Sequence, residues 1–330
     1  MSTEPPATLP ILVPPAPVLV ATGNAPRALE ALDWAIVRAE RGPQPGDLPP
    51  AAGPEDFRSA AASRYVLDVR ARLDRIIMSP DAEEGLEALR ECGALGAMLP
   101  EVNALVGFGD GEWRHKDVWK HTKQVVRQAV PRVEVRWAAL LHDIGKVKTR
   151  SISADGEVHF FGHAEVGARM FDKLDRRMPF FASEPTLKRE VRFLILHHLR
   201  ASQYEPSWTD SAVRRFAREM GGSLEDLLCL SRADITTKRP EKKKKGLRLI
   251  SDLAERVARV AEEDAVVPPL PGGIGDAIMT AFGLPPSRRV GEVKRALEAA
   301  VDAGEVPSHQ PAEVYLVFLR DNAERFGLTP

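Results

Sequence analysis

His142 and Asp143 stand side by side at the end of the apolar run Trp137-Ala138-Ala139-Leu140-Leu141, inside the stretch RWAALLHDIGKVKTR. Neighbouring positions on a helix point about 100° apart, so both side chains can fall on buried positions that aliphatic residues ordinarily fill. Burying an imidazole and a carboxylate without partners is costly, and a shared divalent cation satisfies both at once. A donor set of nitrogen and oxygen without thiolate suits Mn, Mg, Fe, Co, Ni or Zn, and spacing does not choose among them. Ile144-Gly145-Lys146 then breaks the helix and adds a cation. Lys146 can neutralise a phosphate oxygen, or it can be a solvated charge at a helix end.

The elements that must position this doublet are helices. Apolar residues recur at the helical period through most of the chain, which predicts an all-α fold with at most one small β-hairpin. Asn24 is a candidate N-cap with Pro26 in the first turn, and Leu29, Leu32, Ile36 and Val37 line one face. A second helix is expected from Glu55 through Val66, Val69, Leu73 and Ile77. A third runs from Ser79-Pro80-Asp81 over Leu86, Leu89, Leu95 and Met98, closing at Pro100. Asp117 is a candidate N-cap for the helix that carries His121. RSISADGEVHFFG alternates about Asp155-Gly156, the pattern of a hairpin. Three helices are then expected: one opening at His163, one ending in His197-His198 and one ending in Asp234. The Pro-Gly cluster VVPPLPGGIG marks a boundary, after which Val290, Val293, Leu297 and Ala300 form one helical face.

Composition narrows the partners. The net charge is −1, so any nucleic-acid contact must come from a local patch rather than from the charge of the whole chain. The one dense basic block is Lys242 to Lys245, with Lys238 and Arg239 just before it. It follows Asp234 closely enough to overhang a site there, either as a solvated helix face or as a contact for an RNA phosphate backbone. Cys92 and Cys229 lie far apart in amphipathic runs and read as small core residues of a cytoplasmic protein. Prolines interrupt the apolar N-terminal tract and no basic residue precedes it, so residues 1–23 are expected to be an extended lead-in, neither a signal peptide nor a membrane span.

The doublet, in its HDIGK context, resembles the signature of the HD phosphohydrolase superfamily: a His on one helix, a His-Asp on the next, and a distant Asp. His121, His142, Asp143 and Asp234 fit that order. His121 lies one helix and a turn before the doublet, and Asp234 follows the apolar LLCLSRA. Some members add two histidines between the doublet and the last Asp to complete a binuclear centre. The resemblance assigns these to His163 in FGHAEVG and to His198 in LILHHLR, although period alone does not choose between His197 and His198. His115, His159 and His309 read as ordinary.

The likeness extends further. RHKDVWKHT, LLHDIGKVKTR, GEVHFFGHAEVGARM, the paired-His step and ADITTKR are similar, in order, to the HD domain attached to bacterial tRNA nucleotidyltransferases, the CCA-adding enzymes. NAPRALEALDWAIVRAERG resembles the start of that family's neck, MSPDAEEGLEALRECGALGAMLPEV the segment before its HD domain, and PGGIGDAIMTAFGLPPSRRVGEVKRALEAAVDAGEV the tail after it. The likeness covers most of residues 24–310 and implies a lead-in over 1–23, a neck-like segment over 24–109, an HD domain over 110–264 and a tail over 265–330. Those enzymes also carry a nucleotidyltransferase head with a Gly-Ser motif and paired aspartates. The residues before Asn24 are too few for such a head, and Gly222-Ser223 and Asp110-Gly111-Glu112 stand in the wrong context. Asp33 and Trp34 also stand where the family tends to place arginine and an aromatic. CCA polymerisation is therefore not expected of this chain alone.

What the resemblance implies instead is hydrolysis of 2′,3′-cyclic phosphates or 2′-phosphates, in nucleotides or at RNA 3′ ends including tRNA. The chemistry is in-line attack on phosphorus by a metal-held hydroxide, with Asp143 able to bridge two ions and Lys146 assisting. Two other classes stay open: a non-catalytic RNA-binding or partner subunit, and a hydrolase of signalling nucleotides.

Overall fold

The computed structural model describes residues 24–109, 117–265 and 268–328, so the expected lead-in over 1–23 and His115 lie outside the described residues. The first helix, α1 (Ala25–Arg41), opens behind Asn24, whose side chain accepts from the Arg27 amide. Its buried face is mostly alanine, with Ala28, Ala31, Leu32, Ala35, Ile36 and Ala39 inside. Val37, expected on that face, is 41% exposed. The small side chains allow close packing: a Cβ built on Gly85 of α4 (Ala82–Glu91) would lie 2.6 Å from the Ala39 Cβ. Large aliphatic residues on α1 would hold the two backbones apart.

Two expected helices are each divided. The run from Glu55 to Ile77 is α2 (Pro54–Ala61) and α3 (Val66–Met78). Between them the Ser63 hydroxyl donates to the Ala60 carbonyl and accepts from the Tyr65 amide, giving the backbone a local alternative to the helix. The run over Leu86 to Met98 is α4 and α5 (Ala94–Met98), parted at Gly93, whose φ of 80° interrupts the helix. Pro100 opens the short α6 (Pro100–Asn103), where its missing N–H costs nothing.

The next helices build the site. They are α7 (Val118–Gln128), α8 (Val133–Leu141), α9 (Lys146–Thr149), α10 (His163–Arg177), α11 (Pro185–His197), α12 (Asp210–Met220), α13 (Leu224–Ala233) and α14 (Pro240–Ala265). Every residue of α8 from Val135 to Leu141 is buried, and α3, α7, α11 and α13 pack around it. Trp137 anchors it, with its ring 5.3 Å from that of Phe181 and 6.3 Å from that of Phe180. The expected hairpin is present as β1 (Ser151–Ile152) and β2 (Val158–His159), antiparallel, with Ser151 opposite His159. It is the only sheet among the described residues.

Two compact units divide within α14, one ending at Val257 and the other beginning at Ala258. The second contains α15 (Ile274–Phe282), α16 (Arg288–Asp302) and α17 (Ala312–Asp321) around Ile278, Leu297, Tyr315 and Leu319. Val290, Val293, Leu297 and Ala300 are buried, as their spacing predicts. No described helix is long and apolar enough to cross a membrane.

Candidate metal centre

Helix ends and one helix interior deliver the polar side chains to a common point. His142 caps the C-terminus of α8, and Asp143 follows it in the turn to α9. His163 is the first residue of α10, His198 caps α11, Asp234 caps α13, and His121 projects from within α7. Asp117 starts α7 as expected, its carboxylate accepting from the Lys120 amide. Gly145 lets α10 approach the doublet turn: its φ is ordinary, but a Cβ there would lie 2.0 Å from the His163 carbonyl oxygen.

Two groups result, His121 with His142 and Asp234, and Asp143 with His163 and His198; within each, the ligating atoms all lie within 4.8 Å of one another. Asp143 connects them. Its Oδ2 is 3.4 Å from His121 Nε2 and 3.3 Å from His142 Nε2, while its Oδ1 is 3.5 Å from His163 Nε2. Asp234 Oδ1 closes the first group at 3.0 Å from His121 Nε2 and 3.6 Å from His142 Nε2.

The hydrogen bonds behind the rings fit this donor set to a cation. Nδ1 of His142, His163 and His198 lies 2.8 Å from the carbonyl oxygen of Ala139, Phe160 and Ile195 respectively, in each case three residues earlier. A carbonyl only accepts, so each Nδ1 carries its proton and each neutral ring turns an Nε2 lone pair inward. Those nitrogens approach closely, at 3.2 Å for His121 and His142 and 3.1 Å for His163 and His198. The facing lone pairs of His163 and His198 need positive charge, which a shared cation or an added proton supplies.

Charge is distributed accordingly. Burial pushes the Asp143 carboxyl up, yet His142, His121 and Lys146 together hold it well below the usual carboxylate range. Asp234 is likewise held low against burial by His121 and His142. Burial opposes a charge on His142, but Asp143 and Asp234 push it up to about 10. His121 is raised against burial by its bonds to the same two carboxylates. In the other group, burial lowers His163, and burial followed by the charge on His142 pushes His198 down to about 4. Proton and cation compete for the same Nε2 lone pairs, as metal-binding histidines require.

The structure therefore brings His121, His142, Asp143, His163, His198 and Asp234 together. His198 is the member of its pair that turns inward; the half-buried His197 instead packs its ring 4.3 Å from that of Phe193. Lys146 Nζ is 2.6 Å from Asp143 Oδ2 and 5.6 Å from the Phe160 ring centre. His159 stacks on Phe161, and His309 is exposed. Both cysteines are free, with Cys92 buried and Cys229 half-buried. Lys238, Arg239, Lys242, Lys244 and Lys245 are exposed, while Lys243 is half-buried with its Nζ 3.5 Å from Gln128 Oε1 on α7.

Three contributors carry no clear sequence signal. Gly145 matters through close approach, which a residue with ordinary φ does not advertise. Thr236 Oγ1 lies 2.8 Å from His121 Nδ1, across 115 residues of chain. Gln128 donates to the Ala233 carbonyl at 2.7 Å and so pins the end of α13 to α7.

Residues 118–239 match the family model described as HD domain. The chain is 33% identical over 255 residues to the A-adding tRNA nucleotidyltransferase of Deinococcus radiodurans, covering 75% of this chain and 57% of that protein. It is 31% identical over 263 residues to the CC-adding tRNA nucleotidyltransferase of Thermus thermophilus, covering 78% and 57%. A multifunctional CCA protein of Ectopseudomonas mendocina matches at 33% over 149 residues, covering 44% and 36%. The chain thus matches about 57% of the length of the first two relatives.

Proposed function

Because residues 118–239 are an HD domain of the metal-dependent phosphohydrolase family, we propose that this chain hydrolyses 2′,3′-cyclic phosphates or 2′-phosphates of nucleotides or RNA 3′ ends. In this reading His121, His142, Asp143, His163, His198 and Asp234 are the metal ligands. The observation that carries it is Asp143, a buried carboxylate whose two oxygens face separate groups of inward Nε2 atoms. Divalent cations, when bound, would lower the pKa of a water and neutralise a phosphoryl oxygen.

The chain's own residues do the rest. The three backbone carbonyls hold their rings in one tautomer, so little reorganisation is needed as ligands engage. Lys146 is half-buried, and its bond to Asp143 keeps the ammonium at the cluster, where it can pair with a phosphate oxygen. The A-adding and CC-adding relatives are tRNA nucleotidyltransferases, which supports an RNA end, tRNA included, as the substrate. Lys238, Arg239 and Lys242 to Lys245 supply a local basic surface for its backbone.

Metal analysis of the purified protein, combined with a panel of phosphoesters, tests this reading. Bound divalent metal, with hydrolysis of adenosine 2′,3′-cyclic phosphate that a chelator abolishes and added cation restores, is the expected result. Metal-loaded protein inert toward the whole panel would overturn it and favour an RNA-binding subunit.

A further inference from the structure

The four histidines of the centre are not held alike. His142, His163 and His198 sit at helix ends, where the carbonyl three residues earlier accepts from Nδ1. His121 is the fourth residue of the eleven-residue α7, so it looks outward for its partner. That partner is the hydroxyl of Thr236, 2.8 Å away, in the segment between α13 and α14. Thr236 follows Asp234 by two residues, so one short segment supplies both the carboxylate of the first group and the group that orients His121. Gln128 fastens the start of that segment to α7 through the Ala233 carbonyl.

We infer that Thr236 is the positioning residue of the first group, setting the direction of His121 Nε2 and with it the affinity for the ion that His121, His142 and Asp234 would share. This rests on the reading of the cluster as a two-ion metal centre. A carbonyl can only accept and so locks one tautomer, whereas a hydroxyl can accept or donate. Thr236 thus fixes the orientation of the His121 ring while leaving its tautomer to whatever faces Nε2. The second group, locked by backbone carbonyls on two rings, has no such dependence. The first ion is therefore the more easily lost of the two, and Thr236 controls its loss.

The test is equilibrium dialysis of chelator-stripped full-length protein against graded Mn(II), with helix content followed by circular dichroism. Wild type is expected to take up two Mn(II) per chain. Thr236→Val should keep one at wild-type affinity and bind the other about 10–100-fold more weakly, the usual cost of losing an orienting partner behind a ligand. Thr236→Ala should behave the same way and serves as a second variant lacking the hydroxyl. Thr236→Ser, which keeps it, should restore the lost affinity. Two ions bound at wild-type affinity by both hydroxyl-free variants would overturn this inference and leave the metal reading standing. So would a Thr236→Ser protein as weak as Thr236→Val, since the methyl and not the hydroxyl would then matter. Fewer than two Mn(II) bound by wild type would remove the two-ion reading and this inference together.

Discussion

Asp143 is 1% exposed and turns one oxygen toward each group of histidines, so its charge and its geometry serve both. Replacing it with asparagine removes the charge and leaves the size. Asp143→Asn is expected to lower hydrolysis of a 2′,3′-cyclic nucleotide by more than about 100-fold, beyond the usual cost of losing an orienting partner. Its circular dichroism should stay that of wild type, and full activity in this protein would refute the mechanism. His163 and His198 separate one ion from two. If both groups hold metal, His163→Ala or His198→Ala should bring metal content toward half, measured by elemental analysis. Unchanged content with slower turnover would instead mean a single ion in the first group.

At the scale of elements, the contact between α10 and the doublet turn decides whether the second group can assemble. An alanine Cβ at position 145 would lie 2.0 Å from the His163 carbonyl oxygen and 2.8 Å from the Gly167 nitrogen, both backbone atoms that cannot swing aside. Gly145→Ala should therefore cost about 1–3 kcal/mol in urea unfolding, the range for overpacking. It should also lower metal content, because the atom displaced belongs to the backbone of His163. Gly156, in the hairpin turn, is the control. Its φ is 84° but a Cβ there would meet nothing within 4 Å. Gly156→Ala should cost about 1–2 kcal/mol from backbone strain and leave metal content intact. Equal metal loss in the two variants would show that the close approach at Gly145 does not govern the site.

For the whole molecule, a net charge of −1 leaves no long-range attraction for nucleic acid, so RNA affinity has to be local. The exposed lysines at 242, 244 and 245 occupy the first turns of α14, and Lys243 reaches toward α7, the helix that carries His121. Neutralising Lys242, Lys244 and Lys245 together should weaken RNA binding and flatten its salt dependence, by about 0.7 in the log-log slope for each single-strand phosphate that is no longer neutralised. Hydrolysis of a small cyclic mononucleotide should persist. Unchanged RNA affinity across a salt series would identify the run as a solvated helix face.

Local rules carried the sequence a long way. Helical periodicity, the caps at Asn24 and Asp117 and the turn at Asp155-Gly156 each depend on residues a few positions apart, and they specified a helical fold with one hairpin. The His-Asp doublet stood out because a buried apolar helix has no use for two adjacent polar groups unless something pairs with them. Packing decided the rest. The breaks at Ser63 and Gly93 came from hydrogen bonds and backbone geometry that periodicity does not register, and Val37 lost its place because α1 buries an alanine face against α4. The inward turn of His198 depends on where α11 ends against α10, a matter of a single residue of register at a helix terminus. The division of six side chains into two groups sharing Asp143, the bond from His121 to Thr236 across 115 residues and the tight seat of Gly145 arise only when separate helices meet. Sequence spacing records distances along one element, and these contacts are set by distances between elements.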